Sequence, residues 1–288
     1  MSKKSLKTPL RYPGGKSRAC TKMGQFFPDL REYVEYREPF LGGGSVAIHV
    51  SKLYPHLKIT VNDLYEPLIN FWSNLQMFGD ELSSEIKNLK LAHPNPDSAK
   101  GLFIESKDII NDSTKKNIER AVAFYIVNKC SFSGLTESSS FSKQASESNF
   151  SYRGIEKLPE YQEIISHWNI NSYSYEYCFE NHVHDGLFMY LDPPYDIKDN
   201  LYGKKGAMHK KFDHDKFAED CSNSKIDMMV SYNSDQLVKD RFTGLQWNAS
   251  EFDLTYTMRS VGEYMKDQQQ RKELLLLNYG TERLAELN

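Results

Sequence analysis

Between Arg37 and Asp63 the chain reads as strand, glycine turn, helix, strand, and few architectures accept that order. Arg37-Glu38-Pro39-Phe40 leads into Gly42-Gly43-Gly44. Ser45-Val46-Ala47-Ile48-His49-Val50 then has the apolar spacing of a helix, and Leu57-Lys58-Ile59-Thr60-Val61-Asn62 alternates as a strand before ending at Asp63. Two strands joined through a helix lie parallel, so this segment opens a parallel α/β sheet. Ligands of such sheets bind outside the carboxyl ends of the strands.

The turn also satisfies the loose fingerprint G-x-G-x-x-A over Gly42, Gly44 and Ala47, with Asp63 placed 21 residues after Gly42. A bare backbone allows close approach of a ligand, and an acid at the next strand end suits ribose hydroxyls. NAD and S-adenosylmethionine both meet that description, and a plain glycine turn is the structural alternative.

The remaining sheet signals are Leu187-Phe188-Met189-Tyr190-Leu191, Ile226-Asp227-Met228-Met229-Val230 and Glu273 to Tyr279. Between Glu66 and Lys129 the pattern is mainly helical. From Ser131 to Ser151 nine serines accompany scattered phenylalanines, which reads as an extended hairpin or surface loop. The chain of 288 residues, 39% apolar, thus divides into a catalytic α/β core in two pieces, 1–70 and 160–288, and an insertion over 71–159.

Several classes drop out. No run of about 18 apolar residues exists; the strongest block, Leu274 to Leu277, is too short for a membrane span, and nothing apolar follows the basic N-terminus as in a secretory signal. The expected setting is cytoplasmic, or a host nucleus if the source is viral. Cys20, Cys130, Cys178 and Cys221 form no CxxC pair, so neither a metal site nor a disulfide scaffold is expected.

The net charge of −3 would argue mildly against a nucleic-acid partner. Residues 1–25, however, hold seven basic groups and no acid, which leaves −10 for the remainder. Local patches choose partners, so the sum decides little.

The most specific signal is Asp192-Pro193-Pro194-Tyr195, directly after an apolar strand. Chance would give this tetrapeptide in roughly one chain per thousand of this size. A rigid turn would explain the prolines alone. The chemistry asks for more: the Asp192 carboxylate and Pro193 carbonyl are two acceptors, with no proline N–H to compete. A planar exocyclic amine such as N6 of adenine can donate both hydrogens to them, which turns its lone pair out of the ring. Tyr195 offers a face on which an extruded base stacks.

Arg11-Tyr12-Pro13-Gly14-Gly15-Lys16-Ser17 lacks the first glycine of a phosphate loop and by itself reads as a Pro-Gly turn.

Taken together, RYPGGK, PFLGGGSV, NDLYEP at 62–67 and DPPY about 130 residues later resemble the DNA adenine N6-methyltransferases of the Dam type. The resemblance extends to Val230-Ser231-Tyr232-Asn233-Ser234-Asp235 and to Arg259-Ser260 with Arg271-Lys272-Glu273-Leu274-Leu275. It implies a Rossmann-like methyltransferase core with an inserted, mainly helical target-recognition domain carrying a hairpin. It further implies S-adenosylmethionine as cofactor, double-stranded DNA as partner, no metal, and a monomer or weak dimer.

By position, Tyr12, Lys16, Phe40, Gly42, Gly44 and Asp63 would serve the cofactor, with Lys16 near the catalytic carboxylate. Asp192, Pro193, Pro194 and Tyr195 would hold a flipped adenine, Asp192 also bordering the cofactor. The hairpin departs from relatives that read GATC, having no arginine before Arg153 and no Pro-Phe-Gly. Ser131, Ser133, Lys143 and Gln144 are the candidate base readers there, against a merely solvated loop. Lys204, Lys205, Lys210 and Lys211, in the lysine-rich stretch after the tetrapeptide, are candidate phosphate contacts, against a solvated face.

The expected reaction is methyl transfer to N6 of adenine in a short palindromic site. Cytosine N4 methylation, an NAD oxidoreductase and a non-catalytic DNA-binding module are the alternatives. The last two leave DPPY without a task.

Overall fold

The computed structural model describes residues 7–12, 15–16, 20–132, 134, 139–195, 212–254 and 271–284. Their centre is a seven-stranded sheet. In chain order its strands are β1 (Glu35–Glu38), β2 (Lys58–Asn62), β3 (Trp168–Asn171), β4 (Leu187–Leu191), β5 (Asp227–Asn233), β6 (Asn248–Leu254) and β7 (Arg271–Leu277). The spatial order is β3-β2-β1-β4-β5-β7-β6; the first five are mutually parallel, and β7 runs antiparallel between β5 and β6.

Chain order runs outward one way from β1 through β2 to β3 and the other way from β4 to β5. The crevice between the carboxyl ends of β1 and β4 is therefore the switch point where such sheets bind ligands. The antiparallel β7 has a different consequence. Its first residues lie at that same edge, where Glu273 pairs with Asn233 at the end of β5.

The central strands are buried on both faces, which is why β4 reads as an unbroken apolar run. Phe188 and Tyr190 join one core cluster with β1, β2 and the helix α2 (Ser45–Leu53), while Leu187, Met189 and Leu191 join the other with Met228, Val230, Leu274 and Leu276. That alternation is the period of two showing through a continuous apolar sequence. Strand β1 is harder to read, since all four of its residues, Glu-Tyr-Arg-Glu, are buried. Its polar groups are partnered within the strand: Arg37 Nε donates to Glu35 Oε1 at 2.7 Å, and the Tyr36 hydroxyl donates to Glu38 at 2.9 Å.

The connection from β2 to β3 is helical. It holds α3 (Glu66–Ala92), α4 (Pro96–Ile109), α5 (Asn117–Cys130), α6 (Lys143–Ser148), α7 (Tyr152–Ile155) and α8 (Leu158–Ile165), with α3 packing on α5 and α8. The division expected at residue 70 falls inside α3, whose Phe71, Trp72 and Leu75 share the core of β1 and β2.

Of the expected hairpin, the described residues show an antiparallel bridge, Ser131 to Phe141, flanked by Phe132 N–H to Ser140 O at 3.0 Å and Ser142 N–H to Cys130 O at 2.8 Å. Beyond it the serine-rich stretch is helical rather than extended. Ser142 and Ser151 accept from the N–H groups of Ala145 and Gly154, so two of those serines are helix caps. Among the described residues no helix is long and apolar enough to cross a membrane, and no group of three His, Cys, Asp or Glu is placed to hold a metal.

Candidate active site

A cavity of about 470 Å³ occupies the switch point. Its floor is the loop after β1. Gly42 and Gly44 adopt positive φ, +48° and +66°, and Gly44 caps α2 without a side chain. A methyl group at Gly44 would lie 2.7 Å from the Trp72 ring, and one at Gly42 would lie 2.9 Å from the Tyr12 ring. Tyr12 and Trp72 thus clamp the loop from two sides, Trp72 also donating its indole N–H to the Gly42 carbonyl at 3.2 Å.

Gly44→Ala is expected to cost about 1–3 kcal/mol, from left-handed backbone strain and displacement of Trp72. Urea unfolding checks this; an unchanged midpoint would mean that the loop does not need its glycine.

Asp63, at the end of β2, accepts the Gly42 N–H on Oδ2 at 2.9 Å and the Tyr65 N–H on Oδ1 at 3.0 Å. It ties the two strand ends together and still lines the cavity. Burial pushes its carboxyl above the ordinary aspartate value, against those two backbone donors. On the opposite wall Phe40 stacks on Tyr175 at 5.6 Å between ring centres and meets Phe212 and Phe217 edge-on. The result is one acidic end and one aromatic wall.

Above this floor stands the segment after β4. Lys16, only 2% exposed, places its ammonium 3.0 Å from Asp192 Oδ1 and 3.1 Å from Glu273 Oε1. It also donates to the Tyr195 hydroxyl at 2.5 Å. The Tyr195 hydroxyl in turn donates to Glu273, 2.8 and 2.9 Å from its two oxygens, and Ser231 donates to the same carboxylate. The ammonium thus meets the phenol oxygen and also lies over the Tyr195 ring, 4.9 Å from its centre.

Asp192 keeps 22% of its side chain exposed toward the cavity. Burial pushes its pKa up to about 6; the Glu273 charge adds to that and the Lys16 charge opposes it. Glu38 sits below, its carboxyl raised well above the usual range by burial and by the neighbouring Asp192 and Asp63.

The structure therefore brings Tyr12, Lys16, Phe40, Gly42, Gly44, Asp63, Asp192, Pro193, Pro194 and Tyr195 to the lining of one cavity. The residues selected as DNA contacts are dispersed. Ser131 is fully buried at the end of α5, its hydroxyl donating to Asn128 O at 3.2 Å, so it does not face solvent. Lys143 and Gln144 are exposed on the first turn of α6. Ser133, Lys204, Lys205, Lys210 and Lys211 lie outside the described residues.

Sequence reading missed three participants. Glu38 closes the charged strand β1 and Glu273 follows Arg271-Lys272, so their burial leaves no mark in the sequence; only the four leucines after Glu273 hint at it. Arg11 is the third. Its guanidinium donates to the carbonyls of Ser131 (2.6 Å) and Phe132 (3.0 Å), and its backbone exchanges bonds with the Asn128 amide at 2.9 and 2.6 Å. The hairpin has no arginine of its own in this stretch, yet an arginine from the cofactor segment secures its base.

Two acceptors for an amine beside room for a nucleotide-like cofactor are what transfer of a group to an exocyclic amine requires. A profile of the D12 class N6 adenine-specific DNA methyltransferases matches residues 12–258, and the chain belongs to that family. It is similar to the type II methyltransferase M.MjaIII of Methanocaldococcus jannaschii, 23% identical over 66% of this chain and 69% of that one. It is similar also to the DNA N-6-adenine-methyltransferase of Escherichia phage P1, 26% identical over 67% of this chain but only 24% of the phage protein. The type II methyltransferase M.CviBI of Paramecium bursaria Chlorella virus NC1A aligns over 95% of this chain and all of its own length, at 19% identity. DNA is accordingly the substrate and a methyl donor the second reactant, and the oxidoreductase and binding-module alternatives fall.

Proposed function

We propose that this protein uses S-adenosylmethionine to methylate N6 of an adenine extruded from duplex DNA, within a short palindromic site. The carrying observation is that Lys16 engages Oδ1 of Asp192, which leaves Oδ2 for the amine, in the same cavity as the glycine loop.

The residues present fit that cofactor. Asp63 offers its remaining lone pairs to ribose hydroxyls, and the bare Gly42–Gly44 backbone and the start of α2 suit a methionine carboxylate. Phe40 and its aromatic neighbours form an apolar wall. When bound, the cofactor supplies an electrophilic methyl carbon on a sulfonium.

Asp192 Oδ2 and the Pro193 carbonyl accept the two N6 hydrogens and so direct the amine lone pair out of the ring plane. Tyr195 stacks on the base, a contact worth about 1–3 kcal/mol. Attack of N6 on that methyl carbon would break its bond to sulfur, release a neutral thioether and leave positive charge on N6; the Asp192 carboxylate is placed to stabilise that charge and to accept the proton that N6 then loses. The amine of a paired adenine lies inside the duplex, so the base must leave the stack to reach Asp192. The working state is read as a monomer or weak dimer in the cytoplasm.

Asp192 must be ionised to accept from the amine and to balance its charge. With its pKa near 6, kcat/KM is expected to fall about tenfold per pH unit on the acid side of that value. Asp192→Asn, weakly active at best, should lose this limb. A flat profile from pH 5 to 8 in the unaltered protein would count against the assignment.

Cofactor choice is tested by thermal unfolding. S-Adenosylhomocysteine should raise the melting temperature and NAD should not; the reverse result overturns the reading.

A further inference from the structure

We propose that Glu273 is a positioning residue of the methyl-transfer site: reaching across from β7, it fixes the Tyr195 ring through its hydroxyl and fixes Lys16 against Asp192. The inference rests on the functional reading above and deepens it.

Three observations carry it. First, Glu273 is 2% exposed at the head of a strand whose following four residues are leucines, an expensive place for a carboxylate without a task. Second, both of its oxygens accept from Tyr195, and Oε1 also takes Lys16 and Ser231. Third, it reaches the site only because β7 runs antiparallel: a parallel strand in that slot would begin at the opposite edge of the sheet.

The consequence is mechanical and electrostatic. Tyr195 follows two prolines, and its ring is held at the far end by Glu273, so the stacking surface has both ends fixed. Lys16 lies between two carboxylates, and the charge on Glu273 bears on Asp192. Groups that face Asp192 come from every neighbouring element. They are Lys16 from the N-terminal segment, Tyr36 and Glu38 from β1, Tyr190 from β4, Tyr195 beyond it, and Glu273 from β7. Tyr36 and Tyr190 are held neutral by burial, and burial pushes the Glu38 carboxyl up as well.

Two substitutions separate the roles. Glu273→Gln keeps the shape and an acceptor for Tyr195 but removes the charge. Glu273→Asp keeps the charge but shortens the reach by one methylene. Methylation of unmethylated plasmid DNA with labelled S-adenosylmethionine is measured from pH 5 to 9, and the Asp192 carboxyl carbon is titrated by NMR in the ligand-free protein, with Asp192→Asn for assignment.

Glu273→Gln is expected to move both the acid limb and the carbon titration below about 6, so that the activity ratio between pH 5 and pH 8 rises about tenfold. Glu273→Asp is expected to lower kcat about tenfold with little change in KM for DNA, and to have no further effect in a Tyr195→Phe background. An unmoved titration in Glu273→Gln, or an unchanged kcat in Glu273→Asp, overturns the proposal. If the unaltered protein methylates nothing, the functional reading fails, while the carbon titration still decides whether Glu273 acts on Asp192.

Discussion

Replacing Asp192 by alanine reduces methyl transfer by at least about 10³-fold while leaving cofactor binding and fold in place. The carboxylate is the acceptor that distinguishes an attacking amine from a resting one. Removal of a single preorganised group of this kind generally costs about 10²–10³ in rate, and here the same group also balances the charge on N6. The fold should tolerate the change, because Asp192 lies past the end of β4 and opens partly to the cavity. The check pairs single-turnover methylation with the thermal shift produced by S-adenosylhomocysteine. Loss of both signals would mean that Asp192 holds the loop together instead of serving the base.

The second large effect is expected at Lys16. Its ammonium, almost wholly buried, stands between Asp192 and Glu273 at 3.0 and 3.1 Å. Lys16→Met leaves two carboxylates facing each other without a cation, and breaking a buried pair by removing one partner costs about 3–5 kcal/mol. Urea unfolding at pH 8 should register that loss. Adding Glu273→Gln should recover a substantial part of it, because the remaining repulsion disappears with the charge. Activity should fall as well, with the acid limb moved above 6 as Asp192 retains its proton. Independent, additive losses in the double variant would show that the three groups are not one unit.

What the sequence displayed, and what it concealed, follows from how each element is stabilised. The run Leu187 to Leu191 was legible because burial on both faces leaves it unbroken; Lys58 to Asn62 alternates in residue type although Thr60 and Asn62 are buried too, their side chains hydrogen-bonded. Strand β1 announced itself only through the glycine turn after it, since Arg37 pairs with Glu35 and Glu38 accepts from Tyr36, contacts that no periodicity encodes. The short edge strand β3 was missed for a similar reason: Trp168-Asn169-Ile170-Asn171 is half polar and only four residues long.

The serine-rich stretch looked extended, but capping gave two of its serines a helical use. At the site, motif spacing found the glycine loop, Asp63 and the tetrapeptide, because local backbone demands fix those residue types. Glu273, Arg11 and the burial of Ser131 depend on contacts more than a hundred residues apart along the chain, or on depth, and neither is written in a local pattern. Of the lysines in the stretch after the tetrapeptide, Lys216 is described, and it is paired with Glu176 and Asp220.

The account turns on which atom receives the methyl group. Purified protein incubated with unmethylated duplex DNA and labelled S-adenosylmethionine, followed by enzymatic digestion and mass spectrometry of the nucleosides, answers that directly. The label should appear as N6-methyladenine, and it should vanish with Asp192→Ala. Label in N4-methylcytosine, or adenine methylation that survives Asp192→Ala, would contradict it.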